Sequence, residues 1–119
     1  MRAIDRLSEI EEKFAAKLLR IVPIELDDSV LRVILYLKDG TNIRVAEQWE
    51  IGKLKRYSYY WLTYDNKLKI GWDNARHHRQ TENFPHHKHI KKQDNIQTSS
   101  EECLEQVMEN ILFGGQYIY

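Results

Sequence analysis

Cysteine is almost absent from this chain of 119 residues, whose single thiol, Cys103, cannot form an internal disulfide. Proteins with so little cysteine commonly occupy a reducing compartment. The sequence also lacks a run of about eighteen apolar residues, the length that a membrane-spanning helix requires. Its amino terminus lacks the apolar stretch of a signal peptide. We therefore expect a cytoplasmic protein with no membrane partner.

Internal repeats and low-complexity linkers are missing as well. A chain of 119 residues is long enough to bury one hydrophobic core without a metal or disulfides to hold it together. Hydrophobic residues make up 42% of the chain and charged residues 30%, a composition that excludes the disordered and fibrous classes. We expect a single domain over residues 1–119.

The chain also lacks a net charge, because it has 18 basic and 18 acidic residues. The basic and acidic residues are nevertheless unevenly distributed along the sequence. Residues 53–92 contain ten Lys or Arg and three acids, whereas the rest of the chain has eight bases and fifteen acids. Residues 53–92 therefore have a net charge of +7, and the remaining residues have a net charge of −7. Because a locally basic surface attracts polyanions, this pattern favours a surface that faces nucleic acid.

The first part of the chain is predicted to form a helix followed by a sheet. Apolar residues recur every three or four positions between Ile4 and Ile21, which predicts an amphipathic helix. The next segments are apolar or alternating, and short turns separate them, of which Asp39-Gly40 is a strong hairpin signal. They predict an antiparallel meander of four to five strands at residues 21–26, 30–37, 42–49, 53–64 and 67–72.

Regular periodicity disappears after Trp72 and returns near residue 100, which predicts a long loop between them. Ser99 and Glu102 then form a capping-box pattern before an apolar stripe, so a second helix is expected to end at Gly114-Gly115. The expected fold class is α+β, with an N-terminal helix, the meander, a long histidine-rich loop and a C-terminal helix.

The loop contains every histidine of the chain. The five are His77, His78, His86, His87 and His89, and the charged residues among them are Asp73, Arg76, Arg79 and Lys88. Since histidine titrates near neutral pH, this cluster can both take and give protons. If residues 85–89 are extended, alternate side chains share a face, so His87 and His89 are expected to point together and His86 and Lys88 to point away.

Three stretches carry a family resemblance. They read Tyr57-Ser-Tyr-Tyr-Trp61, Trp72-Asp-Asn-Ala-Arg-His-His78 and Phe84-Pro-His-His-Lys-His89. This pattern resembles the TumE family of prokaryotic toxins, which are small cytoplasmic proteins usually paired with a helix-turn-helix antitoxin. The resemblance covers the middle third of the chain closely. It implies a growth-inhibiting toxin that acts on RNA.

Our leading hypothesis from the residues is a metal-independent ribonuclease. Cleavage of RNA by its own 2′-hydroxyl needs a base, an acid and a cation for the charge that develops on the phosphate. We assign catalysis to His78, His87 and His89, with Asp73 orienting an imidazole and Lys88 stabilising charge. Aromatic and basic side chains are predicted to bind RNA by stacking and by phosphate contacts. They are Tyr57, Tyr59, Trp61, Lys55, Arg76, Arg79, Lys91 and Lys92.

Two other classes of protein fit the same residues. His87 and His89, with His78 or Asp73, have the spacing of an open three-ligand zinc site, which would make the protein a metal-dependent phosphodiesterase. Alternatively, the chain binds nucleic acid or an antitoxin without catalysis. The leading hypothesis assigns no cofactor; its partners are RNA and a cognate helix-turn-helix antitoxin, and a homodimer stays open. The face with Tyr57, Tyr59 and Trp61 fits a buried sheet surface equally well.

Overall fold

The computed structural model describes residues 2–75 and 86–114. Within these ranges the chain forms two α-helices, α1 at Ala3–Phe14 and α2 at Leu104–Glu109. A 3₁₀ turn at Ala15–Lys17 continues α1, and a π-helical turn at Asn110–Gly114 continues α2. Seven strands, β1 to β7 in chain order, span Leu18–Leu26, Val30–Leu37, Asn42–Glu50, Lys53–Leu62, Leu68–Asp73, His87–Ile90 and Ile96–Thr98. The predicted α+β class is confirmed.

All seven strands belong to one sheet in which each strand pairs antiparallel with the next along the chain. The predicted hairpin between β2 and β3 is confirmed. Gly40 takes a φ of 93°, a conformation that favours glycine, and the side chain of Asp39 accepts a hydrogen bond from the backbone N–H of Thr41 at 2.8 Å. The predicted antiparallel meander is thus confirmed, although it has more strands than the four to five predicted.

Two predicted boundaries are wrong. The first helix ends at Phe14 rather than Ile21, because Leu18 pairs across the sheet with Leu37 and its side chain joins the core from a strand. The predicted loop between residues 73 and 100 contains β6 and β7. These strands have only four and three residues, and two of the buried positions in β6 are histidines, so hydrophobic periodicity gave no signal there.

One face of the sheet, which we call the helix face, carries the core. Its buried side chains are Leu31, Val33, Leu35, Ile43, Val45, Tyr57, Tyr59, Trp61, Ile70 and Trp72. The helices contribute Leu7, Ile10, Leu104, Val107 and Met108 to the same cluster. We call the opposite face the open face, since both described helices pack on the helix face. No helix in residues 2–75 or 86–114 has the length and apolar character needed to cross a membrane.

A buried ionic cluster joins the two helices to the sheet. Arg6 of α1 donates to both carboxylate oxygens of Glu47 on β3, at 2.8 and 3.0 Å, and it also donates to Glu105 of α2. Burial alone would lower the pKa of Arg6, but its hydrogen bonds to Glu105 and Glu47 raise it, so the guanidinium stays charged. The hydroxyl of Tyr59 donates to Glu47 at 2.6 Å. The carboxylate is therefore satisfied although its side chain has no solvent exposure.

Candidate active site on the open face

The strand register places polar residues in rows across the open face, because cross-strand partners project from the same side of a sheet. One row runs from β2 to β6 through Arg32, Ala46, Ser58, Asp73 and His87. The adjacent row runs from β3 to β6 through Arg44, Tyr60, Gly71 and His89. Both rows therefore include a histidine on β6, next to Asp73 on β5, and continue into β7.

Asp73 contacts both histidines. Its Oδ1 lies 2.7 Å from Nε2 of His87, and its Oδ2 lies 3.2 Å from Nε2 of His89. The two imidazole rings meet edge to face, with centroids 5.0 Å apart. The site is buried, since Asp73 is 7% exposed, His87 0% and His89 4%. Two imidazoles thus converge on one carboxylate in a place that water hardly reaches.

The proton positions on His89 follow from its neighbours. Nδ1 lies 2.7 Å from the backbone carbonyl oxygen of Gln93, which can only accept a hydrogen bond, so Nδ1 carries a proton. In a neutral ring Nε2 would then present a lone pair to the carboxylate of Asp73, which is repulsive. This contact therefore needs either a proton or a metal cation between Nε2 and the carboxylate.

The end of β5 is held by side-chain to backbone hydrogen bonds. Oδ1 of Asp73 accepts from the backbone N–H of Ala75 at 3.0 Å. Asn74 accepts from the backbone N–H of Tyr57 at 2.9 Å and donates to the carbonyl of Lys55 at 3.1 Å. These contacts stop the strand directly after Asp73, as Asp-Asn pairs do, and fix the carboxylate in position.

A groove on the open face leads up to Asp73. It consists of two neighbouring cavities of about 410 and about 230 Å³ that share Arg32, Ala46, Ser58 and Tyr60. The small side chains of Ala46 and Ser58 leave the space. Arg56 and Asp73 line the larger cavity and Arg44 lines the smaller one. The groove is therefore bordered by three arginines and ends at the buried carboxylate.

A family model described as toxin TumE matches residues 5–113. The chain belongs to the TumE toxin family. No curated protein and no solved structure matches the chain. The predicted resemblance is thus confirmed, and the family model covers most of the chain.

The predicted catalytic residues of this TumE toxin are divided by the sheet. His87 and His89 point together on the open face beside Asp73, as their spacing predicted. Lys88 lies between them on β6 and projects to the helix face, because it pairs across the sheet with Trp72. Lys88 therefore does not face the same site as the histidines. His78 lies outside the described residues, as do Arg76 and Arg79.

The predicted base-stacking residues Tyr57, Tyr59 and Trp61 lie in the core of the TumE toxin. They are 5%, 0% and 6% exposed, so in this structure none of the rings presents a face on which a base could stack. Burial raises the pKa of both tyrosines, and their hydroxyls act as donors within the core. The alternation of side chains along β4 could not show which of its two faces the helices cover. The structure shows that they cover the face with Tyr57, Tyr59 and Trp61.

Three of the predicted RNA-binding residues, Lys55, Lys91 and Lys92, are exposed. Lys55 lies near the start of β4, and Lys91 and Lys92 lie in the turn between β6 and β7. His86 projects away from His87, and its Nδ1 lies 2.9 Å from the hydroxyl of Tyr57. Its Nε2 lies 3.3 Å from a carboxylate oxygen of Glu102 at the approach to α2.

Sequence reasoning missed the arginines of the groove. Arg20, Arg32, Arg44 and Arg56 recur at intervals of twelve residues, one on each of the first four strands. The register puts Arg32, Arg44 and Arg56 beside the groove, and Arg20 lies over the ring of Tyr36 at 4.4 Å on the same face. The twelve-residue spacing of these arginines can be read from the sequence, but only the strand register shows that they lie on one face.

Proposed function

We propose that this TumE toxin is a ribonuclease that cleaves RNA at Asp73, His87 and His89. The observation that carries the proposal is the arginine-bordered groove that ends at this buried carboxylate–histidine cluster. Cations along the groove would hold phosphates, and the cluster would act on the phosphodiester that reaches its end. Family membership supports growth inhibition as the outcome of the reaction.

The reaction proposed is attack of the ribose 2′-hydroxyl on the adjacent phosphorus. The O2′–P bond forms while the P–O5′ bond breaks, the 2′ proton passes to a base, and the departing 5′-oxygen receives a proton from an acid. Negative charge grows on the phosphoryl oxygens in the transition state and requires a nearby cation. Arg56 is placed for that task, since it lines the larger cavity together with Asp73.

The arginine groove gives RNA a path to the site. Arg32 lies three strands from Asp73 in the same row, which corresponds to about 14 Å at the usual strand spacing. Arg56 lies two residues from Ser58, the cross-strand partner of Asp73. In the register Arg32 faces an acid, Glu25, across β1 and β2, whereas Arg56 faces Gln48. Arg56 is therefore expected to contribute the strongest phosphate contact of the groove.

The binding step is tested with a single-stranded RNA whose 2′-hydroxyls are methylated, so that it cannot be cut through them. We compare the wild type with Arg32→Gln/Arg44→Gln/Arg56→Gln by fluorescence anisotropy. Each lost phosphate contact lowers the slope of log affinity against log salt by about 0.7, so the triple variant should lose about 2 of the slope. Between about 50 and about 200 mM salt, the wild type should then lose about 20-fold more affinity than the variant.

A matched control removes three exposed lysines away from the groove. Lys38→Gln/Lys53→Gln/Lys67→Gln changes the net charge by the same amount, and it alters turn and strand-start positions outside the two cavities. The control should keep the wild-type slope. Equal slopes for the two triple variants would mean that net charge, rather than the groove, attracts RNA.

The cleavage step is tested by incubating wild type, His87→Ala and His86→Gln with total RNA. Loss of a group that acts directly on the reacting atoms typically slows a reaction by about 100- to 10,000-fold, so His87→Ala should fall by this amount. His86→Gln should retain cleavage, because His86 lies on the other side of β6. If the wild type binds RNA in the groove but leaves it intact, the alternative of a binding module without catalysis replaces the ribonuclease.

The partner and the location are part of the same proposal. Membership of a toxin family supports a cognate antitoxin as partner, and we propose a helix-turn-helix antitoxin encountered in the cytoplasm. Co-expression of the chain with its neighbouring gene product, followed by co-purification, tests this partner. Restored growth with a stable complex is expected; unchanged toxicity would contradict it.

A further inference from the structure

The cluster of Asp73, His87 and His89 has a second property that acid–base chemistry does not explain. Each residue offers one ligand atom, and these three atoms lie within 4.8 Å of one another. In an acid–base pair the carboxylate usually orients one imidazole nitrogen and leaves the other for the substrate. Here both Nε2 atoms lie within 3.2 Å of the carboxylate, and the other nitrogen of His89 is bonded to the backbone. His89 therefore has no nitrogen directed at a substrate.

We propose that Asp73, His87 and His89 bind a divalent transition-metal ion, with Zn²⁺ as the reference ion. The proposal concerns how the site in the proposed ribonuclease works, and in that sense it rests on the proposed function. Imidazole nitrogens suit zinc and its neighbours in the first transition series, whereas Mg²⁺ and Ca²⁺ prefer oxygen ligands only. Three protein ligands leave positions open for water or a phosphate oxygen, as in catalytic zinc sites.

The distances within the cluster fit such an ion. With bonds of about 2.1 Å, ligand atoms next to each other around a metal are separated by about 3.0 to 3.4 Å, depending on the geometry. The separation between Nε2 of His89 and Oδ2 of Asp73 is 3.2 Å, and that between Nε2 of His87 and Oδ1 of Asp73 is 2.7 Å. The first separation lies within this range and the second lies below it, and the three ligand atoms lie within 4.8 Å of one another, so side-chain shifts would bring all three to one cation.

The surroundings of His89 also match those of a metal ligand. Metal-binding histidines usually donate their other N–H to a carbonyl or carboxylate, which fixes the tautomer and directs the lone pair at the ion. The Nδ1 proton of His89 goes to the carbonyl of Gln93, so its Nε2 lone pair faces Asp73. A cation at this point turns the lone-pair repulsion with the carboxylate into two favourable bonds. The close approach of Nε2 to the carboxylate and the fixed tautomer are thus explained together.

Burial supports the same assignment. A carboxylate that is 7% exposed beside two histidines that are 0% and 4% exposed needs compensation for lost solvent. A bound dication supplies that compensation. Asp73 also lines the larger cavity, so the cluster adjoins the groove where RNA is proposed to lie. When bound there, such an ion would polarise a phosphoryl oxygen or lower the pKa of a bound water.

The site is tested by metal binding, independently of cleavage. The full-length chain is stripped with a chelator and titrated with Zn²⁺ by calorimetry and with Co²⁺ by absorption spectroscopy. We expect one equivalent per chain, and a cobalt spectrum without a thiolate charge-transfer band, since Cys103 is not in the cluster. The variants Asp73→Asn and His87→Ala should bind more than about 100-fold more weakly, which exceeds the loss seen when a residue that only orients a ligand is replaced.

Matched variants separate a ligand role from a structural one. His86→Gln removes a neighbouring histidine that bonds to Tyr57 instead, and it should keep wild-type affinity. His87→Cys supplies another ligand at the same position, so it should retain one equivalent of Co²⁺ and add a thiolate band. That rescue cannot arise from a merely structural histidine, and it remains informative if His87→Ala unfolds.

The outcomes separate this inference from the ribonuclease itself. If the wild type binds metal and Asp73→Asn does not, but the wild type leaves RNA intact, the metal site is supported and the ribonuclease is refuted. If RNA cleavage persists in EDTA, and the wild type binds Zn²⁺ no more tightly than Asp73→Asn does, the metal site is refuted. The metal-independent acid–base mechanism then stands. One equivalent of metal with chelator-sensitive cleavage supports both.

Discussion

The ionic cluster on the helix face provides the sharpest test of how the fold is held together. Replacing Arg6 with Met keeps an unbranched side chain of similar length in α1 but removes the guanidinium from Glu47. That carboxylate has no solvent exposure, and of its partners only the hydroxyl of Tyr59 and the indole N–H of Trp49, at 2.6 and 3.0 Å, remain. Breaking a buried pair in this way typically costs about 3–5 kcal/mol. This is a large part of the stability of a small domain.

The free energy of unfolding, measured by urea titration followed by circular dichroism, decides the matter. Lys13→Met is the matched control, because it removes from the same helix a cation that bonds to Glu105 at 3.0 Å but is 47% exposed. An exposed pair of this kind contributes about 0–1 kcal/mol. Arg6→Met should therefore be several-fold more destabilising than Lys13→Met.

A double variant identifies the cause of the loss. In Arg6→Met/Glu47→Gln the uncompensated charge is gone, and the amide oxygen can still accept from Tyr59. Replacement of a whole buried pair by neutral groups is often close to neutral, so the double variant should recover to within about 1–2 kcal/mol of wild type. A double variant no more stable than Arg6→Met would refute the charge argument and leave lost packing as the explanation.

Two further predictions concern pH and a close contact. Burial would raise the pKa of Glu105, but hydrogen bonds from Arg6 and Lys13 lower it to about 2, so its stabilising effect is complete well above about 4.5 and disappears as the pH falls toward 2. The contribution of this carboxylate to the free energy of unfolding is at most about 3 kcal/mol, and about 1–2 kcal/mol once solvent screening of a side chain that is 30% exposed is included. A difference in the free energy of unfolding between wild type and Glu105→Gln that stays constant from pH 6 to pH 2 would contradict this. At Gly71 an added Cβ would overlap the ring of Tyr60, so Gly71→Ala should destabilise by about 1–3 kcal/mol, while Tyr60→Leu in the same chain should relieve the clash. Equal unfolding free energies for wild type and Gly71→Ala would show that the ring moves freely.

The sequence was sufficient for the parts of the fold that depend on period and turn chemistry. The first helix, the Asp39-Gly40 hairpin and the succession of antiparallel strands follow from local patterns, and the structure contains them. Period-two alternation also predicted that His87 and His89 share a face, and they do. These features depend on residues that are close together in the sequence, so the sequence of this single protein is enough to predict them.

The features that depend on long-range pairing were not available from the sequence. Leu18 fits a helical stripe as well as a strand, and only its pairing with Leu37 decides between them. The face of β4 with Tyr57 and Tyr59 could be assigned only once the helices were in place. The row from Arg32 to His87 crosses five strands, so its members became neighbours only through the register.

The order of the strands has a consequence for how the site is assembled as the chain folds. Each strand pairs with the one before it, so β1 to β5 can form through short loop closures, which are fast. His87 is fourteen residues beyond Asp73, and β6 has only four residues, with β7 of three residues as its outer neighbour. Local opening at this end of the sheet would separate the histidines from Asp73 while the helix-face core stays intact. Amide hydrogens of β6 should therefore exchange with solvent faster than those of β2 to β4, and the cluster of Asp73, His87 and His89 is expected to be the last part of the sheet to form and the first to open.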